Sequence, residues 1–244
     1  MKDILIRTAA LLLSGAVLVG SAACGDKSTT EPKGAHGHED EGNLAAANVS
    51  GSYDEEDLPY GATMTQLLPS LNEGLPISIE YDGRFLDEEA GRVVSTYLSA
   101  LTAADEALME TAFYPPYLEY SYQYNGYTNA QDYLDAVKIN LLGAISEHVG
   151  KDVDSIDIDY IMITDCYGEG SDKVGTDFTD MDKIMNDALG EDFLVKVESG
   201  SRKEIYVDFT YKIPDDDTSY DYNYGTGYPL RMFMYKIDGK YYIV

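Results

Sequence analysis

From Ile205 to Ile213 the apolar residues Ile205, Val207, Phe209, Tyr211 and Ile213 alternate with Tyr206, Asp208, Thr210 and Lys212. A period of two sustained this long fits a strand with one face buried. A strand needs neighbours, and the flanking sequence supplies them. Leu230 to Ile237 reads as a strand, Asp238-Gly239 matches a two-residue hairpin turn, and Lys240 to Val244 returns. Phe193, Val195 and Val197 alternate with Leu194, Lys196 and Glu198, which predicts a further strand before a turn at Gly200-Ser201. Pro214 to Gly227 reads as a long acidic, Tyr-rich loop.

Upstream the period changes to that of helices. Asp87 opens the first, whose apolar face is Val93/Val94, Tyr97/Leu98, Leu101, Ala104 and Leu108. Pro115-Pro116 is expected to end it, with Thr102 and Asp105 placed to restart it after a kink. Tyr120, Tyr122 and Tyr124 then alternate with Ser121 and Gln123; read as extended, this stretch puts three phenols on one face. A second helix starts at the capping box Thr128 to Gln131 and carries Tyr133/Leu134, Val137, Leu141, Ile145 and Val149. Gly150 stops it, and His148 in its last turn suits the negative end of the helix dipole. Ile156 to Cys166 reads as a strand with Ile156, Ile158, Tyr160 and Met162 on one side and Asp157, Asp159, Ile161 and Ile163 on the other. A Gly-rich acidic loop, Asp165 to Asp177, leads to a short helix capped by Thr179 or Asp180 and closed by Gly190. A short strand at Ile77, Ile79 and Tyr81 precedes everything else. The expected architecture is α+β: a curved antiparallel sheet, with two main helices and one short helix gathered on one face.

The N-terminus tells where such a chain goes. Lys2 and Arg7 precede an almost continuous apolar run, Ile4 to Val19, and then small residues to Cys24. These are the three parts of a secretory signal peptide, and the run is short for a membrane span. Ser21-Ala22-Ala23-Cys24 resembles the lipobox of bacterial lipoproteins, with Ser21 where that pattern usually carries an apolar residue. The resemblance implies cleavage before Cys24 and lipidation of its sulfur, which tethers the protein to the outer face of the cell membrane. The chain then divides into a signal peptide (1–23), a lipidated cysteine with a disordered acidic tether (24–57), a transitional segment with a short strand (58–84) and one α+β domain (85–244). With Cys24 lipidated, Cys166 has no partner, and a buried structural thiol is its expected role.

The helix Val93 to Leu101 and the closing hairpin Met234 to Val244 resemble the cystatin-like, nuclear-transport-factor-like α+β superfamily. The chain looks like the small lipoproteins of Gram-positive bacteria that carry such a domain. That resemblance implies a sheet wrapped around a long helix, often with a pocket between them, in a family of enzymes, ligand binders and dimerising modules. A net charge of −27 repels nucleic acid and anionic headgroups, and leaves cations, cationic surfaces and neutral molecules as partners.

No HExxH, GxSxG or P-loop pattern is present, two of the three histidines lie in the tether, and no catalytic residue is assigned. The expected function is non-catalytic binding of an extracellular small molecule, peptide or protein. A pocket enzyme of isomerase or dehydratase type and a module that forms a homodimer through its sheet are the alternatives. Ligand-binding candidates are Tyr120, Tyr122, Tyr124 and Tyr127 before the second helix, and Tyr220, Tyr222 and Tyr224 in the late loop. Asp215, Asp217, Asp221 and Asn223 offer hard oxygens to Ca2+, as does the loop Asp165 to Asp177, while His36 and His38 form a looser candidate for a divalent metal. Metabolic labelling with palmitate is expected to mark the wild-type protein and not Cys24→Ala; equal absence of label from both removes the anchor.

Overall fold

The computed structural model describes residues 65–70, 74–169, 178–190 and 192–244. The elements run β1 (Thr65–Leu68), β2 (Ser78–Asp82), α1 (Glu88–Ala103), α2 (Glu106–Ala112), α3 (Pro115–Tyr124), α4 (Ala130–Val149), β3 (Asp157–Gly168), α5 (Phe178–Leu189), β4 (Lys203–Lys212), β5 (Ser219–Asp221), α6 (Tyr222–Thr226), β6 (Leu230–Ile237) and β7 (Lys240–Ile243). The strands form one strongly curled sheet, a half-barrel, in the order β1-β2-β3-β4-β6-β7, with β5 also paired to β4. The class is α+β. The sheet is mixed rather than antiparallel, because β2 runs parallel to β3 and α1–α4 form the crossover between them. β1 and β2, in the segment read as transitional, belong to this same sheet.

Local chemistry fixes the helix ends. Asp87 caps α1 by accepting from the Ala90 amide at 2.9 Å. Ala104 then takes a left-handed conformation, φ 54°, which breaks the helix, and Asp105 restarts it as α2 by accepting from the Leu108 amide. Thr102 plays no part in the restart; its hydroxyl donates back to the Leu98 carbonyl. Pro115-Pro116 begins a helix instead of ending one. At the first helical positions proline's missing donor is not needed, and its fixed φ is already helical. α4 is capped one residue later than expected, by Asn129, whose side chain accepts from Asp132 N and donates to its carboxylate.

Two further expectations fail for reasons of packing. Phe193–Lys196 is a 3-10 helix, and only Val197 bridges to Ile237. In β3 the pairing register shifts around Asp159, so the strand bulges and the sides exchange. Ile161 and Ile163 point into the core, whereas Met162 faces out. Such a bulge increases local twist and helps curl the sheet.

The core lies on the concave side, between α1 and Ile79, Ile161, Ile205, Val207, Met232 and Ile243. Not all helices lie there. Alternation along β6 puts Phe233 and Tyr235 on the side opposite Met232 and Met234, and Phe178 of α5 meets both rings edge-on. Helices therefore cover both faces. At the β7 edge, Phe113 bridges Ile243 and the Tyr114 amide donates to its carbonyl at 3.0 Å. Leu98 is fully buried on α1. Leu98→Ala is expected to cost about 2–5 kcal/mol, read as a lower denaturation midpoint with an unchanged slope.

Candidate functional site

The tyrosines before α4 are helical, so their faces are not those of a strand. Phe113, Tyr117, Tyr120 and Tyr124 recur at three- and four-residue spacing and stack along one seam. Ring centroids are 6.1 Å apart for Tyr97–Phe113, 5.6 Å for Phe113–Tyr117, 6.1 Å for Tyr117–Tyr120 and 5.6 Å for Tyr120–Tyr124. The column begins in the core and ends at Tyr124, which is 61% exposed. Tyr122 lies off this seam. It lines an open hollow of about 410 Å3 with Pro115, Pro116, Leu118, Glu119, Thr128 and Asn129. Glu106 and Glu110 edge this hollow and a second one of about 580 Å3, which also takes in Asp105 and Gln131. Neither lining includes a Lys or Arg. Tyr127 rests on Tyr133, with centroids 5.5 Å apart.

The late tyrosines serve the core instead. Tyr220 stacks on Tyr211 at 5.5 Å and Tyr222 on Phe209 at 4.6 Å, in a stretch that holds β5 and α6 where an unstructured loop was expected. The Tyr224 side chain lies outside the described residues.

The proposed calcium ligands do not converge. Asp216, between Asp215 and Asp217, takes Lys151 as an ion-pair partner and accepts from Thr218 N and Tyr220 Oη, both at 2.9 Å. These bonds, the Lys151 ammonium first among them, hold its carboxyl well below the usual range. Asn223 contributes its backbone amide, to Asp208. Among the described residues no three His, Cys, Asp or Glu side chains are grouped to hold a metal. Cys24, His36, His38 and most of the acidic loop at 170–177 lie outside the described residues. Cys166 is half-buried, and burial pushes its thiol up to about 11, which disfavours the thiolate form.

The structure also shows buried acids on β4 that the alternation assigned to solvent. Glu204 is 1% exposed; its Oε1 accepts from Tyr206 Oη at 2.7 Å and Arg231 Nε at 2.5 Å, and its buried Oε2 has no hydrogen-bond partner among the described residues. Burial, then the bond to Glu204, pushes Tyr206 up to about 12, which keeps the phenol protonated as a hydrogen-bond donor. Asp182 of α5 accepts from Tyr235 Oη and Arg202 Nε at 2.9 and 3.0 Å, and Arg202 also pairs with Glu169. The signal for a covered outer face was Phe233 and Tyr235, two large rings at its positions.

Compared with protein families, with curated proteins and with solved structures, the chain matches none. Among the described residues no helix is long and apolar enough to cross a membrane.

Desolvation raises the phenols of Tyr97, Tyr133 and Tyr235 far above their ordinary 10.0, and lifts Tyr117 and Tyr211 to about 12. A neutral phenol buried this way stabilises the fold fully below the unfolded value, and that contribution is lost as the pH rises toward the folded one. An alkaline titration followed by tyrosinate absorbance is therefore expected to show an early reversible set and a late set that ionises only as the protein unfolds. A single transition near the ordinary value overturns this burial.

Proposed function

We propose that this chain is an exported, lipid-anchored protein of the cell envelope that acts by non-catalytic binding of an extracellular ligand, through the surface made by α2, α3 and the start of α4. The observation that carries the reading is the aromatic column. Stacking from Tyr97 outward fixes α3 on a rigid support and presents Tyr124 with little side-chain freedom left to lose, while Tyr122, off the seam, lines the hollow beside it. Ring faces next to carboxylates without basic neighbours suit Lys or Arg side chains, by charge and by cation–π contact. The ligand we favour is thus a cationic peptide or protein segment, in keeping with the charge of −27.

We further infer a cystatin-like, nuclear-transport-factor-like domain. Support comes from the long helix α1 across the concave face and from the closing β6–β7 hairpin, whose Asp238 and Gly239 have φ of 51° and 83°. The alternative, an enzyme of isomerase or dehydratase type, has one specific observation in its favour: a buried carboxylate, Glu204, beside the Tyr206 phenol. Against it, both groups are already engaged with each other and with Arg231, and neither hollow reaches them.

With 22 Tyr and no Trp in the chain, tyrosine fluorescence reports on many rings at once, and the difference between wild type and Tyr122→Ala isolates the site. Titration with an oligolysine peptide is expected to quench it. Tyr122→Ala and the pair Glu106→Gln with Glu110→Gln should each weaken binding about threefold to tenfold. The exposed pair Glu147→Gln with Asp152→Asn removes equal charge elsewhere and should change little. Equal weakening by both pairs reduces the effect to net charge and overturns the site.

A further inference from the structure

A missing electron moves easily along the aromatic column, whatever the surface around it binds. Trp, the usual competitor for one-electron oxidation, is absent, and tyrosine is present 22 times. Cys166 is half-buried and held as the thiol, the form that oxidises slowly. The phenols are therefore where such a hole settles. Tyr117, Tyr120 and Tyr124 form an unbroken run of them, with ring centroids 6.1 and 5.6 Å apart and planes only 12° and 23° off parallel. Rings stacked this closely have their π systems in contact and exchange an electron readily. Phe113, between Tyr97 and Tyr117, continues the stack into the core.

The proton sets the direction of travel. An oxidised phenol is strongly acidic, and the hole is trapped only where that proton can leave. Tyr97 and Tyr117 are each 3% exposed, and desolvation raises both phenols. A hole there keeps its proton and stays mobile. Tyr124, at the outer end of α3, is 61% exposed and can shed the proton to water. The net charge of −27 favours a positive charge in passage. Tyr228 supplies the contrast: it is more exposed, at 74%, yet no ring of the described residues stacks on it.

We propose that Tyr117, Tyr120 and Tyr124 relay oxidising equivalents outward and make Tyr124 a site of dityrosine cross-linking between two copies of this chain. The co-reactant is hydrogen peroxide, acting through a haem peroxidase. It takes one electron and one proton from each of two Tyr124 phenols and leaves as two waters. The two radicals join by a carbon–carbon bond between the ring positions next to their oxygens. The hydrogen on each joined carbon then passes to its oxygen as a proton, which restores both aromatic rings. A radical formed first on Tyr120 or Tyr117 is handed outward, so Tyr124 collects from the whole run.

The full chain, treated with peroxidase and hydrogen peroxide at about 0.15 M salt, tests this; a Debye length of about 8 Å then screens the repulsion between two acidic copies. Dimers are isolated under denaturing conditions and their joined peptides are mapped by mass spectrometry. Peptides linked through Tyr124 are expected to lead, although Tyr228 is the more exposed ring. Tyr124→Phe should remove that product, and Tyr228→Phe should change it little. Tyr120→Phe keeps a stacked ring and withdraws only the readily oxidised phenol, so the Tyr124 product should fall severalfold. Tyr117→Phe probes the same run one ring deeper if that variant does not fold. A map led by Tyr228, or by any other tyrosine off the column, overturns the relay, because exposure alone then decides. An undiminished Tyr124 product in whichever of the two column variants folds also overturns it, as does the absence of cross-linking.

Discussion

Everything in this molecule depends on β4 being paired along both edges and packed on both faces. β3 runs along one edge, and β6 and β5 share the other, the first beside Lys203–Val207 and the second beside Thr210–Lys212. Its inward residues, Ile205 to Tyr211, form the floor under α1 and under the rings of Tyr220 and Tyr222. Its outward residues carry Glu204 and Asp208, two acids that water cannot solvate well. A strand so enclosed leaves its polar side chains to find partners within the protein, and the partners found differ in kind. Glu204 has a phenol and a guanidinium; Asp208 has two backbone amides.

That contrast sets apart the ways in which one strand holds two buried acids. A buried carboxylate that meets a guanidinium has part of its desolvation cost offset by the opposite charge. A carboxylate that accepts two backbone amides is held by neutral dipoles, which fix its direction without adding a charge. Both arise from the same strand and the same alternation, two pleats apart.

Much of the architecture was legible because it was written in local chemistry. Asp87 as a cap, Gly150 as a stop, the Asp238-Gly239 turn and the strand from Ile205 are decided by the residue and its nearest neighbours. The failures occurred where two local readings are equally good and distant packing chooses. Tyr120, Tyr122 and Tyr124 alternate like a strand, yet Tyr120 and Tyr124 are also one helical turn apart; stacking on Tyr117 and Phe113 selects the helix. Pro115-Pro116 ends helices and begins them equally well. The bulge near Asp159 has no signature in residue type, and it reversed the sides of Ile161 and Met162. Of the candidate site, the residues were legible and their arrangement was not. The sequence pointed to Tyr122 and Tyr124 as surface groups, but the acid-edged hollow beside Tyr122 needs α2 and α4 brought together. Glu204 and Asp208 stayed hidden because the polar half of an alternating pattern ordinarily means solvent.

The residues that join α2 to α3 have a consequence beyond their own neighbourhood. Phe113 and Tyr114 lie along the outer side of β7 and occupy the hydrogen-bonding positions at Ile243. A bare strand there would invite another chain to add itself. By spending two residues of a helix connection on that margin, the fold stops its own sheet from being extended at the C-terminal side, so neighbouring molecules can crowd together without polymerising through it.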